Sequence, residues 1–167
     1  MAIVTVNNNS LKKMIDQWRL SANRTSVTSS FLTANLEQVD TTGQGTIGSA
    51  MTQSSGVFTF PSTGFYLVSF SLLVYAAAND GFVDAEIHVT TDNSSYAEVA
   101  KATSGIYMGT TGDSVSNSGV AQTIIDVTDT SNVKVKFYVD TLNSTTTVYG
   151  SSTATLTGFT FMRLGDT

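Results

Sequence analysis

The chain has 167 residues, no cysteine and a formal net charge of −5, with 41% hydrophobic and only 13% charged residues. One domain of this length can bury a proper core, and the missing cysteines exclude disulfides and cysteine-ligated metals. The few Lys and Arg residues form no cluster, which argues against nucleic-acid binding because phosphate contacts need a basic surface. Ser and Thr fill 48 positions, which predicts a surface covered by hydroxyl groups.

Membrane insertion is not expected from this sequence. The longest apolar run, at residues 65–78, is shorter than the 18 or more residues of a membrane span and is rich in strand-forming residues. The first ten residues lack the charged and long apolar regions of a secretory signal. We therefore expect neither a membrane anchor nor a cleaved leader.

The first predicted element is a short helix at residues 11–23, which follows a polar cluster suited to capping it. Its apolar residues recur at the spacing of one helical face: Leu11, Met14, Ile15, Trp18 and Ala22. The stripe could pack on its own domain, but Trp is enriched as an interface anchor and favours docking on a partner. The predicted docking residues are Leu11, Met14, Ile15, Trp18 and Arg19. Residues 1–30 are accordingly predicted to be an attachment segment with a linker, and residues 31–167 a head domain.

The central stretch of the chain predicts a hairpin. Residues 57–60 alternate, Pro61 and Gly64 supply a turn, and residues 65–75 are apolar on both faces. A strand in a two-layer sandwich usually has one polar face. The second apolar face therefore predicts a second dry surface, most simply another subunit.

The remaining chain predicts further short strands, the first at residues 31–39. Turn signals at residues 79–81 and 92–95 separate alternating runs, residues 104–119 read as a Gly/Ser-rich loop region with one weak strand, and residues 155–164 form the last strand. About ten short strands indicate an all-β antiparallel sandwich or jelly roll preceded by one helix.

Enzymatic and metal chemistry find little support. The single histidine, His88, lies on an alternating strand without a Ser-His-Asp arrangement or metal cluster around it in sequence. Asp80, Asp84 and Glu86 are close together, but a turn and alternate strand positions bring at most two of them together, whereas calcium needs six or more oxygens. The sequence predicts no catalytic residue, cofactor or metal site.

Three segments resemble the globular head of complement component C-one-q and its tumour-necrosis-factor-like relatives. The family signature G-x-F-x-x-P-x-x-G-x-Y is matched by residues 56–66. The closing S-T-F-S-G-F-x-L appears as A-T-L-T-G-F-T-F at residues 154–161, and residues 130–139 occupy the place of the G-D-x-V-x-V strand, with Ser131 and Asn132 where Gly-Asp would be. The resemblance covers roughly residues 35–164.

This resemblance implies a ten-strand jelly roll that assembles as a homotrimer with its inner sheets around the three-fold axis. The alternative for any single apolar residue is the core of its own sandwich. The candidates for the trimer interface are Phe65, Leu67, Leu73, Tyr75, Phe137, Phe159 and Phe161.

A second segment, residues 15–23, is similar to a pattern with Trp-Arg and a later Asn that recurs at the start of tail-fibre and related structural proteins of marine bacteriophages, especially cyanophages. Ala22 stands where Thr is usual. This resemblance implies a virion protein.

Two classes of function follow. The first is a homotrimeric phage fibre or spike that docks on tail, neck or capsid proteins and presents its head, with a host receptor or glycan as a potential ligand. A decoration or cement protein is the alternative within this class. The second class is a secreted trimeric recognition or cytokine-like head, disfavoured because no collagen-like stalk, signal peptide or disulfide is present.

Overall fold

Two antiparallel sheets face each other across a common core in the computed structural model, which describes residues 13–25, 29–76, 78, 80–107, 114–141 and 145–167. The described residues form twelve strands. These are β1 Met14–Leu20, β2 Ser30–Phe31, β3 Leu36–Gln38, β4 Thr52–Ser54, β5 Val57–Thr59, β6 Gly64–Ala76, β7 Asp80–Thr90, β8 Ala97–Ile106, β9 Val115–Val127, β10 Lys134–Thr141, β11 Thr147–Val148 and β12 Gly158–Gly165.

The first sheet is built around β6. This strand pairs along its whole length with β9, while its other edge pairs with β12 and then with β11. Beyond β12 follow β1 and β3. The second sheet has the order β4-β5-β10-β7-β8, and β2 also pairs with β10. The predicted antiparallel jelly roll is confirmed.

The signature at residues 56–66 has a physical explanation in this fold. Ser55 and Gly56 both have positive φ, as a two-residue hairpin loop between β4 and β5 requires, and Gly56 passes so close to the Leu32 carbonyl that a Cβ would not fit. Gly64 has a φ of +136°, and a Cβ at this position would collide with the Gly165 carbonyl oxygen. Tyr66, fully buried, donates its hydroxyl to the Ser62 carbonyl at 3.0 Å and closes the second turn.

Aromatic rings from both sheets fill the core. The closest pair is Phe137 from β10 and Phe159 from β12, with ring centroids 4.3 Å apart. Phe58 packs against both of them, and Phe70 stacks on Phe159 with its centroid at 5.2 Å. These rings bury large apolar areas, which makes them the main apolar contribution to stability.

The predicted N-terminal helix is wrong where the structure describes it. Met14–Leu20 is strand β1, which pairs with β12 on one side and with β3 on the other. Met14, Trp18 and Leu20 face the core together with Asp16, a charged residue that breaks the apolar alternation. Residues 14–20 are therefore part of the jelly roll and not of a separate attachment segment. Leu11 lies outside the described residues.

Two further predictions need correction. The single strand expected at residues 31–39 is two short strands in different sheets, β2 and β3. The region at residues 104–119, predicted as a loop with one weak strand, contains parts of two long strands, the end of β8 and the start of β9. The part of the chain that the structure describes holds no helix with the length and hydropathy that a membrane span requires.

Candidate functional site

The outward face of the first sheet is unusually apolar along β6. Even-numbered residues of this strand point into the core, so its odd-numbered residues point outward, as predicted. Phe65 is exposed, and Leu67, Leu73 and Tyr75 are half-buried. Ser69 and Ser71 interrupt this outward series.

Neighbouring strands extend this face into a continuous row. The strand register places one apolar side chain from each element directly opposite the next, and cross-strand partners share a face. We call these five residues the apolar row: Ile47, Ile15, Met162, Leu67 and Ile124. Ile47 is 50% and Ile124 60% exposed. Val120 of β9, opposite Ser71, adds a further exposed apolar side chain.

The apolar row together with Phe65, Leu73, Tyr75 and Val120 is called the apolar face below. It spans β9, β6, β12 and β1 and ends on the bridge between Ile15 and Ile47. Scattered exposed apolar residues are ordinary in soluble proteins, but apolar side chains that follow one another across neighbouring strands, as in the apolar row, mark an interaction site. This face can therefore bind another apolar surface.

Three of the predicted trimer-interface residues are not on this face. Phe137, Phe159 and Phe161 are fully buried between the two sheets, so their assignment to an interface is wrong. They alternate with half-buried neighbours, which is the pattern of a sandwich core as well as of an interface. Phe65, Leu67, Leu73 and Tyr75 do point outward, and their role in assembly stays a prediction.

Most of the predicted docking residues make contacts within the domain. Met14 is buried, and the Trp18 ring meets Phe58 edge-on with centroids 5.3 Å apart. Trp18 Nε1 donates to Asp16 Oδ2 at 2.8 Å. Docking by Met14 and Trp18 is therefore wrong, whereas Ile15 is half-buried and belongs to the apolar row.

Arg19 is also unavailable for docking. Its guanidinium is completely buried and lies 2.6 Å from Glu37 Oε1 and 2.7 Å from Asp40 Oδ1. It also donates to Thr41 Oγ1 at 2.7 Å and to the Ser152 carbonyl. A planar fork satisfies such a set of acceptors well. Arg19 thus ties β1 to β3 and two loops.

The outward face of the second sheet has the opposite chemistry. Lys101 of β8 lies 2.9 Å from Glu86 Oε1, 3.3 Å from Asp84 Oδ2 and 3.2 Å from Glu98 Oε2. His88 Nε2 lies 2.7 Å from Glu86 Oε2. We call these five residues and Asp140, which pairs with Asp84 across β10 and β7, the ionic cluster.

The ionic cluster shifts the proton affinities of its members. Burial alone would raise the pKa of Glu86, but hydrogen bonds from His88 and Lys101 outweigh it and hold that pKa below its usual value of 4.5. Hydrogen bonds to Glu86 and Glu98 raise the pKa of Lys101. Glu86 and Lys101 therefore favour their charged forms. Beside the cluster, burial and the negative charges of Asp140 and Glu86 raise the pKa of Tyr138, which favours its neutral form.

An aromatic patch borders the ionic cluster. The Phe31 ring lies edge-on to Tyr138 and to His88, with centroid distances of 4.9 and 5.2 Å. The Lys136 ammonium lies 4.1 Å from the Tyr96 ring centroid. Phe31 belongs to β2, whereas the sequence predicts one strand over residues 31–39. The aromatic patch therefore could not be predicted.

Comparisons with known proteins bear on the fold. No family model matches the sequence, and no curated protein matches it. Among solved structures, murine APRIL at pH 5.0 has a TM-score of 0.64 at 9% identity, over 92% of this chain and 100% of that chain. Eiger TNF from S. frugiperda has a TM-score of 0.62 at 12% identity, over 93% of this chain and 95% of that chain.

These likenesses define the architecture as a jelly roll of the tumour-necrosis-factor type. At such low identity they show only that the fold is shared. They give no support to the resemblance of residues 15–23 to phage proteins.

Proposed function

We propose that the chain is a non-enzymatic structural protein that assembles as a homotrimer through its apolar face and presents its jelly-roll head on a bacteriophage particle. The observation that carries the assembly is the apolar row, which crosses the first sheet without a charged side chain. The fold likeness to APRIL and Eiger TNF is consistent with a trimeric head.

Burial energetics favour the association of copies through this face. Each apolar side chain that is covered contributes roughly 25 cal/mol per Å² of area removed from water. In a cyclic assembly every copy covers the same face, so the gain is repeated at each interface. A cyclic trimer also leaves no uncovered copy of the face to recruit further chains.

The virion assignment rests on sequence. It is supported by the phage-like segment at residues 15–23, by the hydroxyl-rich surface and by the missing cysteines. Fibre or spike is the proposed form, with contacts to tail, neck or capsid proteins, and host adhesion through a receptor or glycan is the proposed role of the head. A decoration or cement protein is the alternative within the virion class.

A matched pair of substitutions tests the assembly. Val120 on the apolar face and Val99 on the second sheet are both strand residues, with exposed fractions of 56% and 48%. We expect Val120→Glu to shift the protein from trimer to monomer in light scattering, because it buries a charge at the interface. Val99→Glu is expected to leave the trimer intact. Equal behaviour of the two variants would contradict the proposed interface.

Particle labelling tests the virion assignment separately. Antibodies against the purified chain, visualised by immunogold electron microscopy on particles of the virus that encodes it, should label a fixed position on each particle. A tail or fibre tip supports the fibre, and an even distribution over the capsid supports the cement protein. Unlabelled particles together with the chain in the culture medium would contradict the virion assignment and favour a secreted recognition head, for which the shared fold is the support.

A further inference from the structure

The outward face of the second sheet brings three carboxylates together. Asp84 and Glu86 point outward from β7, and Asp140 lies opposite Asp84 on β10. One oxygen from each of the three lies within 4.8 Å of the others. The sequence could place only the β7 pair near each other, because Asp140 is more than fifty residues away along the chain.

One oxygen in this group is buried without a partner. Asp84 is only 5% exposed, and its Oδ1 accepts no hydrogen bond from the described residues. Its other oxygen, Oδ2, lies 3.3 Å from the Lys101 ammonium. A buried carboxylate oxygen without a donor or cation loses the hydration that it has in the unfolded chain, which costs free energy.

Among the described residues, the lysine that forms ion pairs with these carboxylates lies on the β8 side. Lys101 stands on β8 and is shared by Asp84, Glu86 and Glu98. On the β10 side, Asp140 accepts a hydrogen bond from the Ser29 hydroxyl, and no Lys or Arg among the described residues forms an ion pair with it. Since Lys101 pairs with Oδ2, Oδ1 is the oxygen of Asp84 that stays available to a cation.

A neighbouring trio of potential ligands makes a useful contrast. Glu86, His88 and Glu98 also bring one ligand atom each within 4.8 Å of one another. Its carboxylates, however, are already paired with His88 and Lys101 at 2.7 to 3.2 Å. Among the described residues, this trio has no buried oxygen without a partner, whereas the first group has Asp84 Oδ1.

We propose that Asp84, Glu86 and Asp140 bind a divalent hard cation, for which calcium is the best fit, with Asp84 Oδ1 as a direct ligand. Calcium takes six to eight oxygens in flexible geometry and accepts mono- or bidentate carboxylates, whereas magnesium demands a near-ideal octahedron. In the described part of the chain, Asp84 Oδ1 has no other partner. Glu86, in contrast, shares its oxygens with Lys101 and His88, and Asp140 accepts from Ser29, so water completes the shell. The site lies on the opposite sheet from the apolar face, so it is independent of the proposed assembly.

The effect of Lys101 on calcium affinity distinguishes this site from other sites on the chain. Its ammonium shares two of the three carboxylates with the proposed cation and repels it. Removing this positive charge should therefore strengthen calcium binding, although it weakens the apo protein. A cation bound elsewhere on the chain would not respond in this way.

Isothermal titration of calcium chloride into the chelator-treated full chain tests the site. We expect one calcium per chain with a Kd on the order of 0.1–1 mM, the range of weak extracellular-type sites. Asp84→Asn and Asp140→Asn should each weaken binding at least about tenfold, and Lys101→Met should tighten it, because affinity follows the charge count of the ligands. Asp92→Asn, which removes a carboxylate from the turn after β7, should leave binding unchanged.

Absence of calcium binding to the wild-type chain up to about ten times the expected Kd range would overturn the proposal. Binding that survives both Asp84→Asn and Asp140→Asn would also overturn it. Thermal melting of each variant without calcium serves as the folding control. If either Asn variant fails to fold, the response of Lys101→Met decides: unchanged or weaker binding contradicts the site.

Discussion

The outward faces of the two sheets differ in polarity. The first sheet presents isoleucine, leucine and methionine in a row across its strands, and the outward-pointing Arg19 is buried at one edge under two loops. The second sheet presents the ionic cluster, with Lys101 bridging three carboxylates. One face is suited to being covered by another apolar surface, and the other to water and ions.

This difference shows why a shared fold does not by itself specify function. Both sheets contribute apolar residues to one core. Only the outward side chains distinguish a surface that can assemble from one that can hold ions, and these residues alternate with core residues along the same strands.

The largest expected effect concerns the membership of β1 in the first sheet. Trp18→Ala should lower the free energy of unfolding by about 2–4 kcal/mol, somewhat less than for a fully buried Trp, because the side chain is partly exposed. Urea unfolding measures this loss. Trp18→Phe keeps a ring against Phe58 and should lose less. A Trp18→Ala variant with unchanged stability would mean that β1 does not belong to the sandwich.

The second effect concerns the charged face. Lys101→Met should destabilise the calcium-free protein by about 1–3 kcal/mol, because it leaves Asp84, Glu86 and Glu98 without their cation. The Lys101 side chain is 35% exposed, so solvent screening keeps the loss below that of a fully buried pair. The exposed Lys13 offers a matched control, since Lys13→Met should change stability by less than about 0.5 kcal/mol. Equal losses would show that the ionic cluster contributes little.

A smaller effect is expected at the aromatic patch. Lys136→Met removes the cation from above the Tyr96 ring and should cost about 0.5–1 kcal/mol of unfolding free energy. Lys136→Arg keeps a cation there and should retain most of the stability. Thermal unfolding of the two variants side by side separates the charge from the aliphatic stem, and identical losses would exclude a cation–π contribution.

The smallest effect is a change in pH dependence. The folded-state pKa of Glu86 is lowered, so its charged form stabilises the protein above its ordinary value of 4.5, and this contribution is lost as the pH falls through the folded-state value. Glu86→Gln should therefore lose stability at neutral pH and show a shallower decline in acid. Melting temperatures from pH 7 to pH 3 measure both slopes. Parallel curves would contradict the lowered pKa.

The central part of the fold could be predicted because its signals are local. Gly56, Pro61 and Gly64 mark turns by backbone chemistry, and the two apolar faces of β6 follow from the alternation of residues 65–75. The placement of Tyr66, Phe70 and Val74 on one face and of Phe65 and Leu67 on the other was therefore predictable.

Strand β1 could not be predicted because charged residues are buried in it. Asp16 faces the core and accepts hydrogen bonds from Trp18, Gln38, Thr46 and the Met51 backbone, which offset its burial. With Asp16 and Arg19 counted as solvent-facing, the apolar residues fall at helical spacing by coincidence. Partners that are distant in sequence resolve the ambiguity.

The core and interface roles of aromatic residues could not be separated for a related reason. Phe137 and Phe159 lie in apolar alternating runs, and such runs fit a dry core and a dry interface equally well. Because β10 and β12 lie in opposite sheets that face each other, these aromatic residues belong to the core. Asp140 joined the ionic cluster in the same way, through strand register and not through local sequence.

The central claim is that the apolar face is covered by other copies of the chain. Sedimentation velocity of the purified wild-type protein at micromolar concentration tests it most directly. Three copies of the 17.7 kDa chain should sediment as one species of about 53 kDa. A stable, soluble species of 17.7 kDa at the same concentration would contradict the account.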